Sequence, residues 1–152
     1  MIRVFVLLFI LPAFAFAKVR HVGAKNTYKT IQSAVNAAQP KDTILVNAGN
    51  YVVSKFTVSK RLTFIGKNRP TITSKGERII EVLADSTSFY GFKFTGVATS
   101  YVNDNSAIKF NKTNGGRVEN CRFDTCFFAV YMAHSVNITV HNNTIRSVYT
   151  NE

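Results

Sequence analysis

The side chains in this sequence that could do chemistry gather toward its end. Cys121, Cys126, Met132, His134 and His141 follow one another there, while His21 stands apart near the start. Thiol, thioether and imidazole are ligand types that suit copper among the first-row metals. None of the spacings is a metal motif, so a centre built from His134, His141, Met132 and Cys126 needs the fold to bring them together. Acid–base work on a polysaccharide would need carboxylates in pairs or clusters. The chain offers Asp42, Asp85, Asp104, Asp124, Glu77, Glu81, Glu119 and Glu152, no two of them adjacent, and on that ground reads as a non-enzyme. A third chemistry is stacking on sugar rings, for which Tyr90, Tyr101 and Tyr131 are the candidates.

What must position these residues is a repeat. Val118-Glu-Asn120-Cys-Arg-Phe123 returns 22 residues later as Val140-His-Asn142-Asn-Thr-Ile145, and Ile108 and Phe110 are answered at the same step by Val130 and Met132. Two independent pairs at one spacing mark a solenoid, whose coils bury their apolar faces only by stacking on each other. Alternation along each strand sends Ile108, Phe110, Val130 and Met132 inward and sets Phe94 near Phe123 and Ile145. Met132 then belongs to a core column under Phe110. His141 aligns with Glu119 and Tyr90 on an outward face, and His134 sits at a turn, where packing explains it least. Asn120 and Asn142 form a structural ladder, their amides satisfying backbone groups at a strand bend. An extended chain holds Cys121 and Cys126 about 16 Å apart, too far to bridge, which favours one packed thiol and one in a turn over a disulfide.

Before the repeat, Thr30 reads as the N-cap of a helix from Ile31 to Gln39, with Ile31, Ala34, Val35 and Ala38 on one face and Pro40 closing it. Such a small apolar face suits a cap over the end of a solenoid. From Thr43 the pattern turns to short β-rich runs punctuated by Gly49-Asn50, Lys60-Arg61, Gly66 to Pro70 and Lys75-Gly76. The step between Gly91 and Asn120 is 29, so roughly seven residues are inserted, most naturally between Thr95 and Asn105. Expanded turns of solenoids often bind ligands. Gly96, Tyr101, Asn103, Asp104 and Asn105 are the candidate binding loop.

Tyr28-Lys-Thr-Ile-Gln-Ser-Ala-Val-Asn-Ala-Ala-Gln-Pro-Lys-Asp-Thr-Ile-Leu-Val-Asn-Ala-Gly-Asn-Tyr51 resembles the opening of right-handed parallel β-helices of the pectin-lyase-like superfamily. A further set, Gly91-Phe-Lys-Phe-Thr-Gly96, Ser100 to Ile108, Val118-Glu-Asn120 and Phe128-Ala-Val-Tyr-Met132, resembles the periplasmic D-type maturation protein of nitrous oxide reductase. That resemblance implies a non-enzymatic, exported accessory β-helix. It implies copper as the metal concerned, and an ABC transporter membrane complex and nitrous oxide reductase as partners.

The expected fold is therefore all-β: a right-handed parallel β-helix of about five coils, about 22 residues each, with a short N-terminal α-helical cap. Residues 1–17 read as a cleavable signal peptide, with Arg3 ahead of an apolar run and Ala15-Phe16-Ala17 as the cleavage motif. This implies a periplasmic protein. Residues 18–152 are the N-terminal part of a β-helix domain, with the cap region at 28–40 and coils over 43–152. Because the repeat runs nearly to Glu152, the domain reads as incomplete and a truncated, non-functional fragment is one reading. Net charge is +11, falling to +10 without Arg3, which favours acidic partners: an anionic membrane face bound peripherally, an acidic protein or an acidic polysaccharide. Export argues against nucleic acid. A carbohydrate-binding or polysaccharide-active β-helix is the alternative function.

Overall fold

The computed structural model describes residues 16–100 and 102–146. Tyr101 and most of the leader lie outside the described residues. The chain opens with β1 (Val19–Val22), α1 (Ile31–Ala37), β2 (Thr43–Val46), β3 (Asn50–Val52) and β4 (Phe56–Val58). It continues through β5 (Thr63–Gly66), β6 (Thr71–Thr73), β7 (Ile80–Val82), β8 (Thr87–Tyr90) and β9 (Lys93–Val97). The last six strands are β10 (Ser106–Asn111), β11 (Asn114–Glu119), β12 (Arg122–Cys126), β13 (Phe128–Ala133), β14 (Val136–His141) and β15 (Thr144–Arg146).

From β2 onward successive strands go in turn to three parallel sheets, ordered β1-β2-β5-β8-β11-β14, β3-β6-β9-β12-β15 and β4-β7-β10-β13. This is the parallel β-helix expected from the sequence. The first sheet has six strands, so there are about six turns rather than five. The missed strand is β1, too short to show periodicity, which pairs with β2 from Val19 opposite Thr43 to Val22 opposite Val46.

Register follows the repeat. Ile108 pairs with Val130 and Phe110 with Met132, Val118 with Val140, and Phe123 with Ile145. Inward columns stack aromatic on aromatic: Phe64 lies 4.7 Å from Phe89, and Phe94 lies 5.2 Å from Phe123 with ring planes 11° apart. Such offset stacking adds to the burial of each ring. In the longer coil the pairing step grows from 28 residues, Ile80 opposite Ile108, to 29, Thr87 opposite Gly116, and this slip of one residue has a local cause. Ser86 N donates to both Asn114 O and Gly115 O, and Gly115 takes φ of 73°, so one extra residue is absorbed as a bulge.

The cap helix is as expected at its start and shorter at its end. Thr30 Oγ1 accepts from Ser33 N at 3.1 Å, and Ile31, Ala34 and Val35 are buried. Ala38 turns extended, ahead of a residue that Pro40 keeps from helical geometry. The carbonyls left over at this end are met by Lys60 Nζ, which donates to Ala38 O at 2.8 Å and Asn36 O at 3.2 Å.

Candidate functional site

The expanded turn is where the sequence placed it. Val97 pairs with Cys126 and Ser106 with Phe128, so seven more residues lie between the paired positions of the earlier coil than in the later one. They form an excursion over 98–105 between the second and third sheets. Two elements tie its base down. Asn105 Nδ2 donates to Gly76 O at 3.1 Å and Ala98 O at 3.3 Å, and Arg78 Nη2 donates to Asn103 O at 2.7 Å. Gly96 belongs to β9 and not to the loop. With φ of 79° it approaches so closely that a Cβ there would meet Ser74 O at 2.8 Å. Of the five expected loop residues, then, Asn103, Asp104 and Asn105 face the site, Gly96 is architectural, and Tyr101 lies outside the described residues.

Beside the excursion is a cleft of about 480 Å³ lined by Lys55, Glu77, Arg78, Val102, Asn103, Asp104, Asn105 and Lys109. Its floor continues onto the outward face of the third sheet, where Thr57, Glu81, Lys109 and Tyr131 align in successive strands. Lys55 Nζ lies 3.6 Å and Arg78 Nη1 3.5 Å from Glu81 Oε2, and Asn111 Nδ2 donates to Glu81 Oε1 at 3.1 Å. Burial pushes the Glu81 carboxyl up, but the Asn111 amide and the Arg78, Lys55 and Lys109 cations outweigh it and hold the pKa below the usual range. Glu81 is thus kept ionised. Arg78 Nε is buried with no partner among the described residues. At the far side Lys109 Nζ sits 5.2 Å from the Tyr131 ring centroid, and Tyr131 stacks 5.4 Å from Phe128.

The expected metal ligands are spread differently. Cys126 ends β12, Met132 lies in β13, His134 follows it at a corner with φ of 51°, and His141 ends β14. Among the described residues no three His, Cys, Asp or Glu side chains come together as a metal set. Met132 is in the column under Phe110, yet 50% exposed, because no described coil covers it. Both cysteines are free and buried, and Cys126 is in a strand, not a turn. Burial pushes its thiol up to about 12. Asp124 is the lone acid among bases, 2.7 Å from Arg122 Nε and 3.3 Å from Lys93 Nζ. Tyr90 is on the first sheet, opposite Glu119, and so apart from Tyr131.

The asparagine ladder needs correction. Asn120 and Asn142 align and both take φ of 52°, so they serve the corner through the backbone conformation that asparagine tolerates. The bridging amide is that of Asn143, which accepts from Cys121 N and donates to Val118 O, each at 2.8 Å.

No protein-family model matches the sequence, and no curated protein matches it. Among solved structures, the crystal structure of the pectin methylesterase from Aspergillus niger in deglycosylated form is similar, with a TM-score of 0.52 over 86% of this chain and 59% of that chain. The likeness is one of fold. At 17% identity it bears on the parallel β-helix fold alone, and the chain spans 59% of the length of that enzyme.

Proposed function

We propose that this chain is a carbohydrate-binding β-helix that holds a polysaccharide in the cleft beside the 98–105 excursion. The observation that carries this reading is the composition of the cleft. Lys55, Arg78 and Lys109 are interleaved with Glu77, Glu81 and Asp104, and an aromatic ring lies at one side. Alternating donors and acceptors suit sugar hydroxyls, and Tyr131 offers a face for a pyranose ring. The likeness in fold to a pectin methylesterase supports a carbohydrate partner. Local charge is balanced in the cleft, so preference for acidic polymers comes from the +11 net charge of the chain at longer range. The held-ionised state of Glu81 favours binding over acid catalysis at this spot, since a general acid needs a raised pKa.

Affinity electrophoresis in gels containing de-esterified pectin or a neutral polysaccharide tests this. The uronate gel should retard the protein more, and added salt should narrow the gap. Tyr131→Ala is expected to weaken retardation by about tenfold, the scale of one lost ring contact. Equal mobility in all gels would end the reading.

A second reading, the accessory role in copper-centre assembly with nitrous oxide reductase and an ABC transporter, is favoured by one observation. Met132 in β13 and His134 at the corner just after it are both exposed. A copper titration under chelator competition decides it, with stoichiometric uptake lost in Met132→Leu as the supporting result.

A further inference from the structure

We infer that cleavage of the Ala17–Lys18 bond builds a structural ion pair, in which the α-ammonium freed on Lys18 is held by the buried carboxylate of Asp42. The inference is independent of the cleft. It joins a sequence pattern to a contact. Ala15-Phe16-Ala17, small residues around a large one after an apolar run, is a leader-cleavage pattern that ends at Lys18. Lys18 N is also where the folded domain takes hold of the chain, because it donates to Asp42 Oδ1 at 2.8 Å. Phe16 and Ala17 are exposed, so the scissile bond stands clear of the core.

Asp42 is built to receive a charge there. Its side chain is 1% exposed, and Oδ2 is taken by Arg20 Nε at 2.7 Å and Gln39 N at 2.9 Å. Oδ1 has Lys18 N. Hydrolysis adds water across the amide: the oxygen joins the Ala17 carbonyl carbon, the C–N bond breaks, and the Lys18 nitrogen leaves as an ammonium. The agent is an endopeptidase of the leader-cleaving class. The N–H that already donates to the Asp42 carboxylate thereby becomes an ammonium, so the attraction of opposite charges is added to the existing hydrogen bond, offset in part by repulsion from Arg20.

The groups facing this pair are Arg20 from β1, which also donates to Tyr28 OH at 2.7 Å, and the Gln39 amide after α1. Lys41 precedes Asp42 in the chain, and its backbone N donates to Arg61 O. A free α-amino group titrates near 8, and a carboxylate partner raises that value in the folded state. The added stability is therefore present below about pH 8 and disappears as pH rises through the raised value.

Expression of the full chain with its leader in an exporting bacterial host, followed by intact mass measurement, should give a protein beginning at Lys18; a different first residue overturns the inference. Thermal unfolding then compares this protein with one that keeps Ala17 as an extra first residue, so that all other titrations cancel. The Lys18 form should melt roughly 3–6 °C higher at pH 6.5, with the gap closing toward pH 9.5. Equal melting at pH 6.5, or a gap that persists at high pH, overturns it. Asp42→Asn in both forms should erase the gap, and a surviving gap counts against the pair. If that variant does not fold, the extension comparison decides alone.

Discussion

Asp42→Ala is expected to lower the stability of the folded chain by about 3 kcal/mol at neutral pH, the lower end of what is lost when one partner of a buried ion pair is removed. The carboxylate is a junction. It joins the start of β1 through Lys18 N and Arg20, and the chain after α1 through Gln39 N, while its own backbone carbonyl accepts from Thr63 N at 3.1 Å. Truncation strips the first three of their acceptor and leaves the Arg20 guanidinium without its counter-charge. Arg20 is 15% exposed and can regain some water, which argues for the lower end of the range.

The pH dependence of the same residue checks the cause. Burial pushes the Asp42 carboxyl up, but the backbone N–H groups of Gln39 and Lys18 and the Arg20 side chain outweigh it and hold the pKa below the usual range. A depressed folded pKa means that the contribution is fully present above about 4, the unfolded value, and is lost as pH falls through the lower folded value. Urea unfolding of the parent chain should thus show stability falling below pH 4. The variant should fall less steeply there, so that the two curves converge. Parallel curves would show that the carboxylate charge is not what joins these segments.

The register of the later coils was legible because nothing is inserted between β10 and β15. Ile108 with Val130 and Val118 with Val140 keep one step of 22, and a fixed step is visible in a sequence. Asp42 carried no such signal, since its partners Lys18 and Arg20 lie just before and within a four-residue strand too short to show periodicity. The cleft was half legible. An insertion marks its loop, but Lys55, Arg78 and Lys109 come from three coils of unequal length, and their meeting depends on strand pairing that no single period describes. Asn143 was hidden for the opposite reason. Its neighbour Asn142 repeats Asn120 and drew the structural role, although the repeat there reflects a shared backbone conformation and the amide doing the bridging lies one residue on.

Depth within the stack, more than side-chain size, should decide how much an inward residue contributes, and one column tests this directly. Ile72, Phe94, Phe123 and Ile145 follow each other through β6, β9, β12 and β15. Phe94 is fully buried, stacked on Phe123 and 5.8 Å from Phe92. Phe94→Ala removes both ring contacts and leaves a void that the stiff sheet above and below cannot close, for an expected loss of 3–5 kcal/mol. Ile145 occupies the same column but is 58% exposed, so Ile145→Ala should lose less than about 1 kcal/mol. Coils of a solenoid are coupled only to their neighbours, so a weakened β9 layer also threatens cooperativity. Urea unfolding of Phe94→Ala should show a shallower slope or two transitions as the coils on either side separate. Comparable losses from both variants, with the slope unchanged, would mean that stacking between coils is not what sets stability along this column.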